Sequence, residues 1–371
     1  MARLDAFLQL GREQGCSDIH FAVGRPPLLR MHGELMPVKY RDLGAEELES
    51  MVTELLTDEQ WGVFSTGVDL DFSYTQEGIG RFRANLFRTI DGMAGTFRVI
   101  ASKAPSLQSL GLPSVVEKLT HHHQGLILVT GATGTGKSTT LTAMIDHLNS
   151  TRKLNIITLE DPIECVHESK MSLVVQREVG THVGSFAEGL RAALREDPDV
   201  ILVGEMRDAE TILMALTAAE TGHLVLGTLH TTSAAKSLER IIDAAPAEQK
   251  GQVTVSLAQS LHGVISQILV KSADGRGRKA ILEILVMTPA ISHLLTNDKI
   301  FQIPMKIETG RALGMQLMDQ ALREALQNKE IDPDDAYLYA QDKKQFQRFV
   351  TDAKLLPKIS ARAELEEPQI A

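Results

Sequence analysis

LILVTGATGTGKSTTLTAMIDHLN, residues 126–149, is the stretch from which the fold can be read. Leu126–Thr130 is continuously apolar or β-branched, the pattern of a buried strand. Gly131–Ser138, GATGTGKS, then matches G-x-x-x-x-G-K-S, a phosphate-binding loop. Gly131, Gly134 and Gly136, with Ala132, Thr133 and Thr135 between them, let the backbone curl so that successive N–H groups point inward. They do so at the positive end of a helix beginning near Lys137. Lys137 is placed to reach the β- and γ-phosphates of ATP, Ser138 to hold Mg2+ through its hydroxyl, and Thr139 to complete the nucleotide-binding set. Leu141, Met144, Ile145 and Leu148 follow at i, i+3, i+4, i+7, so one face of that helix packs on a sheet.

A βα rhythm continues downstream. Asn155–Leu159 reads as a strand ending in Glu160, Asp161, Pro162, Ile163 and Glu164. Asp199–Gly204 reads as another ending in Glu205, and His223–Leu229 as a third ending in His230. Phe186–Arg195 and Ala209–Glu220 have helical periodicity between them. Strands alternating with helices predict an α/β domain with a parallel sheet, whose ligand site lies beyond the strands' carboxyl ends. ATP hydrolysis needs a phosphate cradle, a metal, a group that orients water, and positive charge for the transition state. Glu205 suits the orienting role or a place in the magnesium shell, directly or through water, and Glu160, Asp161 and Glu164 form a second carboxylate group. His230 suits either a sensor of the γ-phosphate or a structural hydrogen bond to a carboxylate.

Residues 1–100 read as a smaller α+β domain. Leu4, Phe7 and Leu8 mark a helix ending at Gly15; Ser17–Phe21 is a strand, and Leu28–Met31 with Leu35–Val38 is a hairpin around His32, Gly33 and Glu34. Ala45–Leu56 is an amphipathic helix, and Asp69–Tyr74, Gly80–Arg88 and Gly95–Ile100 are further strands. Arg81, Arg83, Arg88 and Arg98 on these strands fit a charged outer sheet face, or a set of planar phosphate donors offered to a neighbouring loop. Residues 101–113, with Pro105, Gly111 and Pro113, read as the linker, 114–354 as the ATPase domain with a helical C-terminal part, and 355–371 as a polar, mobile tail.

Composition narrows the function. At 371 residues with 43% hydrophobic content, the chain has enough apolar material for two cores. With 38 basic against 48 acidic residues and only 4% aromatics, it argues against a RecA-like nucleic-acid translocase, which needs a basic channel and stacking platforms. A nucleotide-gated scaffold without hydrolysis is opposed by Lys137, Ser138 and Glu205 together. Cys16 and Cys165 alone exclude a disulfide framework or a four-cysteine zinc module, and fit a reducing cytoplasm. No apolar run reaches membrane-spanning length, so association with a membrane requires a partner. His121–His123 cannot all face one metal, and without acidic or cysteine companions they read as a solvated helix end.

GATGTGKSTT (131–140), ITLEDPIECVH (157–167), VVQREVG (174–180), LREDPDVILVGEMRD (194–208), TAAETGHLVLGTLHT (217–231) and ERIID (239–243) follow one another in the order found in the secretion-superfamily motor ATPases. The chain most resembles the type IV pilus retraction ATPases of the PilT/PilU kind, over nearly its whole length. The resemblance implies a homo-hexamer of subunits with an N-terminal PAS-like domain and a C-terminal RecA-like P-loop NTPase domain. It implies a motor that uses ATP and Mg2+ to drive domain rotation, turn an inner-membrane platform protein and power retraction and twitching. It makes Glu160–Glu164 the Asp box, Gly204 and Glu205 the Walker B end, and His223 with His230 the His box. Arg83 and Arg98 become arginines acting on the next subunit's nucleotide.

Assembly and type II secretion motors of this superfamily carry an additional N-terminal region and a four-cysteine module, so retraction is favoured over assembly. In AISHLLTN, Ala290–Asn297, Ser292, His293 and Thr296 replace the residues usual in retraction motors. That leaves open whether the chain is the principal motor or the accessory partner of a paralogous retraction ATPase. Localisation is expected to be cytoplasmic, at the inner membrane through the pilus machine.

Overall fold

The computed structural model describes residues 2–31, 34–101, 103–275 and 277–356. The residues fall into two compact units, which divide between Ala104 and Pro105; Ile163–His167 joins the first unit although its flanking residues belong to the second. Ala101 pairs with Cys165 in an isolated bridge that ties this short segment in. Most of the expected tail, from residue 357 onward, and His32 and Gly33 of the hairpin lie outside the described residues.

The first unit contains α1 (Asp5–Glu13), β1 (Asp18–Ala22), β2 (Leu28–Met31), β3 (Glu34–Pro37), α2 (Ala45–Thr53), α3 (Asp58–Ser65), β4 (Leu70–Gln76), β5 (Gly80–Thr89) and β6 (Gly92–Val99). Its strands form one antiparallel sheet in the order β3-β2-β1-β6-β5-β4. Alternation puts Phe82, Ala84 and Leu86 of β5 in the core with Leu4 and Leu8 of α1 and Leu48 and Val52 of α2. Arg81 and Arg83 therefore point to the opposite face. Apolar periodicity does not mark α3, although Thr57 and Gln60 form a reciprocal capping box at its start, with N–H···O distances of 3.2 and 3.0 Å.

The second unit begins with α4 (Ser114–Leu119), β7 (Gly125–Thr130), α5 (Lys137–Thr151), β8 (Asn155–Glu160), β9 (Leu173–Glu178), α6 (Phe186–Ala193) and β10 (Val200–Val203). It continues with α7 (Ala209–Glu220), β11 (Leu224–Leu229), α8 (Ala234–Ala244), α9 (Lys250–Ser260), β12 (Leu261–Lys271) and β13 (Arg278–Val286). The chain then turns helical in α10 (Pro289–Thr296), α11 (Ile303–Thr309), α12 (Met318–Gln327), α13 (Pro333–Tyr339) and α14 (Lys343–Phe346). The sheet order is β13-β12-β7-β11-β10-β8-β9, parallel throughout except for the β12–β13 pair.

Every residue of β7, β10 and β11 is buried, because helices cover both faces of the sheet. Leu126 and Leu128 of β7 pack toward α6–α10, whereas Ile127 and Val129 pack toward α4 and α5. Leu141, Met144, Ile145 and Leu148 of α5 are all buried there, as their spacing predicts. The molecule is thus an α/β ATPase-type domain preceded by an antiparallel-sheet domain.

Candidate nucleotide site

β7, β8, β10 and β11 are parallel neighbours, so the segments leaving their carboxyl ends emerge along one edge of the sheet. The loop after β7 is the GATGTGKS stretch. Gly131, Gly134 and Gly136 adopt φ of 146°, 80° and 86°, values that side-chain-bearing residues rarely take, and Gly136 is the N-cap of α5. Lys137 Nζ donates to Gly131 O at 2.9 Å and to Ala132 O at 3.0 Å, which holds the ammonium over the curled loop. The first turn of α5 contains no acidic residue to oppose an anion. Left-handed glycines, helix N–H groups and a lysine make a cradle suited to a nucleotide's phosphates.

The neighbouring strand ends are joined directly. Gly131 N–H donates to Leu229 O at 3.2 Å, which sets the start of the loop beside His230. Gly204 N–H donates to Leu159 O at 2.8 Å, setting Glu205 beside the end of β8. A Cβ at position 204 would lie 2.9 Å from Leu159 O, so this close approach requires glycine.

Glu205 accepts a hydrogen bond from Arg207 Nε, and His230 Nε2 lies 2.7 Å from the same carboxylate oxygen. Burial pushes the Glu205 carboxyl up, but the Arg207 hydrogen bond and the charges of His230 and Arg207 outweigh it and hold it below its ordinary range. Glu205 is therefore an anion suited to orienting water or a hydrated cation. Glu160 Oε1 accepts from Thr158 Oγ1 at 2.6 Å and from Gln176 Nε2 at 3.0 Å. Glu164 belongs to the short segment that groups with the first unit.

Arg83 and Arg98 also lie in the first unit, directly opposite each other in the β5–β6 register. Arg98 Nε donates to Asp18 Oδ1 at 2.9 Å, and Arg83 Nε lies 3.9 Å from Asp71 Oδ1. Burial pushes Asp18 up, yet the Ser17 hydroxyl and the Arg98 guanidinium hold it below the usual carboxylate range. Two cations side by side on an outward face, 44% and 65% exposed, form an anion-ready surface.

The family model for "Type II/IV secretion system protein" matches residues 76–331. The chain belongs to that family. It is 50% identical over 316 residues to the twitching motility protein of Neisseria gonorrhoeae, covering 85% of this chain and 84% of the relative. It is 37% identical over 364 residues to the type IV pilus ATPase PilU of Pseudomonas aeruginosa, covering 98% and 93%. Among solved structures it is similar to the pilus retraction motor PilT with bound ADP, with a TM-score of 0.86 and 42% identity over 94% of this chain and 99% of that one. Membership of the family makes the chain an ATPase.

Family motifs do not mention several residues that shape this secretion-family site. Gln267, on β12 and 2% exposed, accepts from Thr140 Oγ1 at 2.8 Å and donates to Thr135 O at 2.7 Å, bracing the phosphate loop at two points. Ser266 beside it shares a 2.8 Å hydroxyl contact with Thr130 at the end of β7. The pair Ser266-Gln267 set between Val264-Ile265 and Ile268-Leu269-Val270 was the available signal, since polar groups inside such a run are retained only when their hydrogen bonds are met.

Arg207 was likewise missed as a partner of Glu205. Because it helps keep Glu205 ionised, Arg207→Ala should move the acid limb of the ATPase pH profile upward. Without the Arg207 hydrogen bond and charge the carboxyl takes up its proton at a higher pH, so the ionised form is lost earlier as pH falls. A pH–rate profile with an unmoved acid limb would contradict this account of Glu205.

Proposed function

We propose that this chain is an ATP-hydrolysing motor that powers type IV pilus retraction and hence twitching motility. The convergence of the phosphate loop, Glu160, Glu205 and His230 on one edge of the parallel sheet carries the reading chemically, and the likeness to retraction ATPases supplies the task. Magnesium and ATP bind through the 131–139 loop, with Lys137 on the phosphates and Ser138 toward the metal. Glu205 orients the attacking water, directly or through the magnesium shell, and His230 reads the state of the phosphate tail through its link to Glu205. Glu160 and Glu164 supply the second carboxylate group.

The working unit in this proposal is a homo-hexamer. Arg83 and Arg98 of one subunit close over the nucleotide held by the next, and turnover drives domain rotation. The ring acts on an inner-membrane platform protein from the cytoplasmic side, with a paralogous retraction ATPase as a further partner. No helix among the described residues is long and apolar enough to cross a membrane, so such a partner supplies the attachment.

Deletion of the gene with scoring of surface pili tests the direction of work. Excess surface pili with lost retraction is the expected result; absence of pili would overturn retraction in favour of assembly.

A further inference from the structure

The three histidines before β7 are all exposed just beyond the end of α4, but their rings go to different neighbours. His122 stacks on His262 with ring centroids 3.6 Å apart and planes within 6°. His123 Nδ1 lies 3.0 Å from Arg152 Nη2. His121 goes elsewhere, toward Glu117 one helical turn earlier and toward His147 on α5. The side-chain donor atoms of these three residues all lie within 4.8 Å of one another, and the His121 and His147 rings are 6.2 Å apart, tilted by 33°.

From this cluster we infer that Glu117, His121 and His147 form a binding site for a divalent transition-metal ion of the zinc type. Two imidazoles and one carboxylate are a donor set that suits zinc, and it leaves a coordination position for water. Bond lengths of about 2.0–2.2 Å require the three donors to draw closer than they stand. The side chains have room to do so, since His121 is exposed and the other two are half-buried.

The backbone that presents them is already fixed. His121 N–H donates to Lys118 O at 3.2 Å, extending the turn after α4, and Arg152 Nη1 donates to Thr120 O and His122 O, both at 3.3 Å. Glu117 and His121 are four residues apart, so they share one side of that turn. Magnesium does not compete well here, because it prefers all-oxygen shells and retains its waters. The site is therefore chemically separate from the magnesium of the phosphate loop. Its ion would tie α4 to α5, the helix that begins at Lys137.

The test is a zinc titration of the full chain in saturating Mg-ADP, so that the nucleotide site is occupied, followed calorimetrically and by the visible absorption of a cobalt substitute. One zinc per chain is expected, with a thermal midpoint raised by about several degrees. Affinity should fall at least about tenfold in His121→Ala, His147→Ala and Glu117→Gln, while His123→Ala binds as the parent does. His121→Ala, at an exposed position, keeps the test sound if a change on α5 harms folding; the melting midpoint in chelator checks this. No zinc binding, or binding that survives all three substitutions, would overturn the assignment.

Discussion

Lys137→Ala is expected to abolish ATP turnover while the chain remains folded. Lys137 provides the positive charge held over the phosphate loop by Gly131 O and Ala132 O. Loss of one preorganised charge at a transition state costs about a hundredfold or more, roughly 3 kcal/mol. The loop should nevertheless persist, because it has other supports: Gln267 holds Thr135 and Thr140, Ser266 holds Thr130, and Leu229 O on β11 holds Gly131. Phosphate release measures the first part, and the circular-dichroism melting midpoint measures the second. Turnover within tenfold of the parent would remove Lys137 from its assigned role.

The second large effect is expected from Arg83→Ala combined with Arg98→Ala. The two guanidiniums sit opposite each other in register, and like charges so placed repel unless anions lie between or beside them. Asp18 and Asp71 offset part of that repulsion, and in the proposed ring the neighbour's phosphates complete it. Removal of an arginine finger lowers turnover by about a thousandfold or more. Nucleotide binding should be largely retained, because the phosphate loop is untouched.

A mixing experiment separates action across subunits from indirect damage. The Lys137→Ala chain retains the arginines, and the double variant retains the loop. Mixed rings should therefore recover part of the activity that each preparation lacks. Undiminished turnover in the double variant, or no recovery on mixing, would refute action across subunits.

The central strands were legible because helices cover both sides of the sheet: β7, β8, β10 and β11 appear as near-continuous apolar runs. Their polar successors, Glu160, Glu205 and His230, could then be assigned to one edge by topology alone. β9 was hidden by its half-exposed, alternating surface, with Leu173 and Val175 accessible to solvent. β12 was hidden by the polarity of Ser266 and Gln267, residues that are buried because they brace the loop. The grouping of Ile163–His167 with the first unit could not be read locally, since it depends on the pairing of Cys165 with Ala101 far away in sequence. The neighbours of the histidine run could not be read locally either. Glu117 lies only four residues upstream, but His147 comes near only through the packing of α5 against α4.

The brace from β12 has a consequence for the order of events during synthesis. Thr140 and Gln267 are separated by 127 positions, and Thr130 and Ser266 by 136. Contacts of such range form late, because the intervening chain must first be ordered. On the ribosome, the whole glycine loop emerges long before the strand that holds its shape. A nascent chain that already displays GATGTGKS therefore has its motif without this brace, which can form only after residue 267 has left the exit tunnel.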